Sequence, residues 1–66
     1  MFKMVKIINA TKTEGKIEPW YNDKIGEIFK VDVNNILNMM GHNCFNVIKD
    51  GYPSGLYIKV EDCEVI

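Results

Sequence analysis

The chain has 66 residues, of which 47% are apolar and 26% are charged, and its net charge at pH 7 is −1. A chain of this length is close to the smallest that builds one hydrophobic core, so we expect a single domain over residues 1–66. The composition excludes an intrinsically disordered protein, and no window approaches the ~20 apolar residues that cross a membrane.

The first ten residues, MFKMVKIINA, contain no long apolar run and no small-residue cleavage site. They do not predict a signal peptide, and we expect the protein to lie in the cytoplasm. The two cysteines, Cys44 and Cys63, are too few for a disulfide scaffold. A reducing cytosol favours buried thiols that form no bridge.

The N-terminal half predicts two strands separated by a long loop. Residues 2–8 (FKMVKII) mix β-branched and long apolar side chains with lysines, which is typical of a strand. Residues 9–24 follow neither the helical nor the strand period and contain many turn-forming residues. A loop this long in so small a domain is usually functional. Residues 25–31 (IGEIFKV) alternate as a core strand does, and Gly26 near the start indicates a bulge or bend.

The next segment, residues 32–42 (DVNNILNMMGH), is ambiguous. Asn34 is a suitable helix cap, Gly41 is a suitable helix end, and apolar residues recur between them at helical spacing. Only about seven residues would be helical, so such a helix would need packing to persist. We expect a loop with one helical turn near residues 34–40.

The C-terminal part predicts a hairpin and a closing strand. Residues 43–49 (NCFNVIK) and 56–60 (LYIKV) alternate, and the turn formers of residues 50–55 (DGYPSG) lie between them. Residues 61–66 (EDCEVI) begin with an acidic turn and close the fold. The predicted inward residues are Leu56, Ile58, Val60, Cys63 and Val65, and Tyr57 and Lys59 are predicted to face outward.

Short strands joined by turns predict an all-β fold, a small barrel of about five antiparallel strands, since closure removes exposed edges. A first strand, a long loop with aromatics, KIGEIFKV, the hairpin FNVIKDGYPSGLYIKV and a closing EDCEVI resemble the SH3-like barrel family. The layout is most similar to short barrels encoded by phages and prophages of low-GC Gram-positive bacteria. The resemblance implies ligand binding by the long loop. It also implies a host-directed role, in which the protein binds and inhibits a bacterial enzyme or defence complex.

No motif predicts catalysis, a metal or a cofactor. His42 lies two residues from Cys44, but the chain lacks the paired ligand spacings of structural zinc, and no third group orients a Cys–His nucleophile. The carboxylates Glu61, Asp62 and Glu64 are typical of a solvated turn. The glycines match no phosphate-binding signature. We therefore predict a protein that is not an enzyme.

The remaining candidates are four amphipathic aromatics, Trp20, Tyr21, Tyr52 and Tyr57, the type of residue enriched at interfaces. Adjacent residues in an extended segment point in opposite directions, so one of Trp20 and Tyr21 should face outward. We predict that Trp20 plugs the core. Tyr21 would then join Tyr52 and Tyr57 in a groove for an extended or Pro-rich peptide.

Charge indicates the kind of partner. Glu61 and Asp62 beside the groove would add selectivity for basic proteins. Nucleic-acid binding is a rival, because six lysines lie in residues 1–30, but the net negative charge and the absence of arginine disfavour it. A third interpretation is self-association through an edge strand or through the apolar residues 36–40 (ILNMM).

Overall fold

The computed structural model describes residues 2–66, which form one antiparallel sheet in the order β4-β3-β2-β1-β5. A 3-10 turn, Val60–Asp62, joins the fourth strand to the fifth, and residues 2–66 contain no α-helix. The predicted all-β fold with five antiparallel strands is confirmed, and the sheet is compatible with a small β-barrel. The strands are β1 (Phe2–Ile7), β2 (Ile28–Met39), β3 (His42–Lys49), β4 (Tyr52–Lys59) and β5 (Cys63–Val65).

Strand β2 runs through the segment in which we expected a helical turn. The chain reverses only at Met40 and Gly41, whose φ angles are 52° and 85°. Two consecutive positive φ angles are typical of the tight turn of a β-hairpin. The prediction of a helical turn near residues 34–40 is wrong, because residues 36–39 pair with β3 and gain a hydrogen-bonded neighbour that an isolated short helix lacks.

A bulge divides β2 into two parts. The pairing with β3 shifts between Asp32, which lies opposite Asn46, and Ile36, which lies opposite Phe45. The backbone N–H of Asn34 donates to the Asp32 side chain at 3.0 Å, so Asn34 belongs to the bulge and caps no helix. The first part of β2 pairs with β1 and the second with β3 alone, so the bend carries the sheet around the core.

The predicted hairpin is confirmed, but its turn is shorter than expected. Asp50 and Gly51 make the turn, and β4 already begins at Tyr52. Likewise, β2 begins at Ile28 and not at residue 25, because the backbone N–H of Glu27 donates to the carbonyl of Lys24 at 3.0 Å and closes a turn over Ile25 and Gly26.

Every strand contributes to the core, and the long loop between β1 and β2, residues 8–27, contributes one aromatic ring. Both cysteines are buried and free, as predicted. Alternation correctly places Ile58 inward. It fails for Leu56, Val60 and Val65, which are 43%, 36% and 53% exposed. The core residues are Val5, Ile7, Tyr21, Val31, Phe45, Val47, Ile58 and Cys63.

The long loop is held by backbone hydrogen bonds at its two ends. The backbone N–H groups of Ile8 and Asn9 donate to the carbonyl of Asp62 at 2.9 and 3.2 Å, and that of Ile7 donates to Glu27 at 2.9 Å. A small bridge pairs Thr13 with Ile17 near the tip. Within residues 2–66, no helix has the length and apolar character needed to cross a membrane.

Candidate functional site

Trp20 and Tyr21 lie against the outer edge of β4. In the sheet of residues 2–66, β4 is the last strand, so its outer backbone groups have no adjacent strand. The indole Nε1 of Trp20 donates to the carbonyl oxygen of Tyr57 at 2.7 Å. The backbone N–H of Lys59 donates to the Tyr21 hydroxyl at 3.2 Å. Because Tyr57 and Lys59 are two residues apart, these groups point to the same side, and the two aromatic side chains take the place of a neighbouring strand.

The orientation of this pair is the reverse of our prediction. Tyr21 is 1% exposed and belongs to the core, whereas Trp20 is half-buried beside it. The Trp20 ring packs edge-to-face on Tyr21 and Phe29, with centroids 5.4 and 5.3 Å apart. The indole N–H needs one acceptor, which the strand edge supplies, whereas the Tyr21 hydroxyl has two buried partners. Tyr21 therefore plugs the core and lies beneath the surface on which we had placed it.

The second partner of Tyr21 is Asp62, the centre of a buried hydrogen-bond network. The Asp62 carboxylate is fully buried and accepts from the Tyr21 hydroxyl at 2.5 Å. It also accepts from the backbone N–H of Thr11 at 3.0 Å and from the Thr11 hydroxyl at 2.6 Å. Three donors offset the loss of water around the carboxylate. The expectation that Asp62 lies in a solvated turn is wrong, because the 3-10 turn directs its carboxylate inward.

Thr11 connects this carboxylate to a buried lysine. The Nζ of Lys59 donates to the carbonyl oxygen of Thr11 at 2.5 Å, and Lys59 is only 6% exposed. Alternation correctly places Lys59 on the face of β4 opposite the buried Ile58. The expectation that this face is solvated is wrong, because the long loop covers it.

Burial shifts the pKa values of three groups around this network. Burial, and then the hydrogen bond to Asp62, raise the pKa of Tyr21 above its usual value of 10.0. Burial raises the pKa of Cys63 from 9.0 to about 11 and also raises the pKa of Cys44. The folded chain therefore holds all three protons more tightly than the unfolded chain does.

We expect these groups to destabilise the fold in alkaline solution. A group with a raised folded-state pKa contributes stability that is present below the unfolded pKa and is lost as pH rises through the folded pKa. The loss should begin near pH 9.0, the unfolded value for cysteine, and continue past the Cys63 value of about 11. Urea midpoints measured under reducing conditions from neutral pH to about pH 11 check this.

Two matched tyrosine variants test whether the Tyr21 hydroxyl contributes to the loss of stability at alkaline pH. Tyr21→Phe removes the shifted hydroxyl, so its urea midpoint should fall less steeply above pH 10.0, the usual pKa of tyrosine, than that of the unmodified protein. Tyr52→Phe changes a side chain that is 74% exposed and should leave the pH profile unchanged. A profile that stays flat, or one that both variants alter equally, contradicts the assignment.

A groove lies beside the covered edge of β4. It has a volume of about 240 Å³ and is bounded by the long loop, the β2–β3 turn and β4. The buried Cys44 and Lys59 line its base together with Tyr21. The larger side chains around them are mostly apolar: Pro19, Trp20, Met39, Met40, Leu56 and Tyr57.

The structure brings only part of the predicted binding face together. Trp20 and Tyr57 line the groove, and Tyr21 lies at its base. Tyr52 is at the start of β4, 74% exposed, and is not among the residues that line the groove. The Oε1 atom of Glu61 lies 2.7 Å from the Nδ1 atom of His42. Glu61 likewise lies outside the groove lining.

The sequence pattern missed Met39, Met40 and Leu56 as groove residues. The only sequence feature that marked the two methionines was the apolar run ILNMM, which we interpreted as a candidate surface for self-association. Met40 is 63% exposed because it occupies the turn, where both neighbouring strands end. Leu56 lies outside the core because β4 has a bulge beside Gly55, whose φ is 83°.

Comparison of the chain with known protein families, curated proteins and solved structures found no match. Among residues 2–66, no three His, Cys, Asp or Glu side chains converge in a way that could hold a metal ion.

Proposed function

We propose that the protein is a small binding module of the SH3-like barrel type and that its groove takes a short segment of another protein. Five antiparallel strands, a long β1–β2 loop and a β3–β4 hairpin support the SH3-like assignment. The host-directed role implied by the phage resemblance stays a prediction about which protein is bound.

The observation that carries the proposal is the convergence of exposed apolar side chains on a formed groove. Met39, Met40 and Leu56 are 44%, 63% and 43% exposed around it. Methionine side chains adapt to different apolar partners, which suits a recognition surface. The volume of about 240 Å³ lies below the about 300–1,000 Å³ typical of small-molecule pockets, so one or two side chains of a peptide fit it best.

The covered edge of β4 favours one binding mode over another. A peptide that adds to a sheet needs free backbone groups on an outer strand. Trp20 and Tyr21 already bond the outer groups of Tyr57 and Lys59. The proposed partner segment therefore inserts side chains into the groove and does not extend the sheet.

Met40→Glu should weaken binding and leave the fold intact. The side chain is mostly exposed on the groove rim, so a charge there costs little stability, but it would have to be desolvated by an apolar ligand. We expect binding to weaken at least about tenfold. Affinity capture from a lysate of a low-GC Gram-positive bacterium, followed by titration calorimetry with the captured protein, measures the loss.

Ile25→Glu is the matched control, because Ile25 is 53% exposed and lies outside the groove lining. It should capture the same protein as the unmodified chain with unchanged affinity. Equal capture by all three chains would show that the groove is not the binding site. Failure of the unmodified chain to capture any protein would contradict the proposed function itself.

A further inference from the structure

We propose that the groove selects an acidic segment, in which a large apolar side chain enters the groove and an adjacent Asp or Glu carboxylate pairs with Lys59. This inference rests on the proposed function and adds the chemistry of the partner. It reverses the sequence-based expectation of basic partners, which depended on Glu61 and Asp62.

The base of the groove contains a charged side chain, that of Lys59. Among the residues that the structure describes, Lys59 is the only charged side chain that lines the groove. No carboxylate of residues 2–66 lies within ion-pair distance of its Nζ, since the pairs present join Lys12 to Glu18, Lys24 to Asp23 and His42 to Glu61.

The ammonium group of Lys59 makes one hydrogen bond within residues 2–66. An ammonium group has three donors, and the carbonyl oxygen of Thr11 accepts one of them. Lys59 is connected to Asp62 only through Thr11, because the Asp62 oxygens accept hydrogen bonds from Thr11 and Tyr21. A buried charge with so few partners is unfavourable, so an arriving carboxylate gains more here than at a solvated lysine.

The groove around Lys59 is mostly apolar. The rim residues Trp20, Met40 and Leu56 are apolar, and a ligand seated among them excludes water from the ammonium. An ion pair is stronger where the local dielectric constant is low. The groove holds only about 240 Å³, so the apolar group and the carboxylate must be neighbours in the ligand.

A peptide selection tests this preference directly. A random library of short linear peptides, amidated at the C-terminus, is selected on the immobilised protein. We expect peptides in which Asp or Glu is adjacent to a large apolar residue. The affinity of one selected peptide and of its Asp→Asn or Glu→Gln form is then measured by the fluorescence of Trp20, the only tryptophan of the chain. The amide form should bind about tenfold more weakly.

Two variants of the protein assign the preference to Lys59. Lys59→Met should bind the acidic and amide peptides equally, and Lys59→Arg should keep a preference for the acidic form. If Lys59→Met does not fold, the comparison of the two peptides on the unmodified protein decides.

The outcomes separate the two proposals. Selected peptides that lose affinity with Met40→Glu but show no preference for acidic residues would overturn the charge inference and leave the groove as the binding site. A selection that yields no binding peptide would overturn both.

Discussion

Asp62→Ala should leave the chain unfolded at neutral pH and room temperature. The variant removes the carboxylate that accepts three hydrogen bonds. The Tyr21 hydroxyl, the Thr11 hydroxyl and the Thr11 backbone N–H then lose their acceptor. Unsatisfied buried donors cost about 1–3 kcal/mol each, and the whole loss should reach about 3–5 kcal/mol. A core of this size rarely supplies more than about 3–5 kcal/mol, so no stability remains.

Circular dichroism and urea unfolding measure this loss of stability. Two further variants serve as comparisons. Asp62→Asn keeps one acceptor oxygen but turns an amide donor toward another donor, so we expect an intermediate stability. Glu64→Ala removes an exposed carboxylate two residues away and should stay within about 0.5 kcal/mol of the unmodified protein. A folded Asp62→Ala with the stability of Glu64→Ala would show that the network does not hold the long loop.

The burial of Asp62 illustrates what the sequence could not predict. The run EDCE is typical of a solvated turn, and nothing near it indicates a buried carboxylate. Its hydrogen-bond partners Tyr21 and Thr11 are 41 and 51 residues away along the chain. Only the closing of the sheet brings these residues together, so a local pattern carries no information about them.

The strands, by contrast, follow from local patterns wherever alternation and turn residues agree. The hairpin around Asp50 and Gly51 was predicted from the cluster of turn-forming residues 50–55, which begins with this Asp-Gly pair. The hairpin at Met40 and Gly41 was missed, since methionine rarely adopts a positive φ and the residues before it share a helical face. Pairing with β3 overrides that local preference.

The aromatic pair lies between these two cases. Strand geometry predicted that one of Trp20 and Tyr21 faces outward, but both side chains lie against the outer edge of β4. It did not determine which of them is fully buried. That choice depends on where the Asp62 carboxylate and the outer edge of β4 lie. The groove itself was foreseen only as an aromatic surface containing Tyr57, because the exposure of Met40 and Leu56 depends on a turn and a bulge.

Tyr21→Ala and Trp20→Ala should separate folding from binding. Tyr21→Ala removes the largest fully buried side chain and a hydrogen bond to Asp62, and losing a buried aromatic ring costs about 3–5 kcal/mol. We expect this variant to be unfolded. Tyr21→Phe keeps the ring and should lose only about 1–3 kcal/mol. Thermal unfolding followed by circular dichroism compares the two.

Trp20→Ala should instead remain folded, because the indole is only half-buried and the Tyr21 plug stays in place. It removes one wall of the groove and uncovers the carbonyl oxygen of Tyr57 at the outer edge of β4. Titration calorimetry should detect no binding of a groove-selected peptide. Because an uncovered strand edge favours pairing between chains, gel filtration should show concentration-dependent self-association. A folded Tyr21→Ala would contradict the assignment of Tyr21 as the core plug. A Trp20→Ala protein that stays monomeric and still binds the peptide would show that the indole neither shields the edge of β4 nor forms the groove.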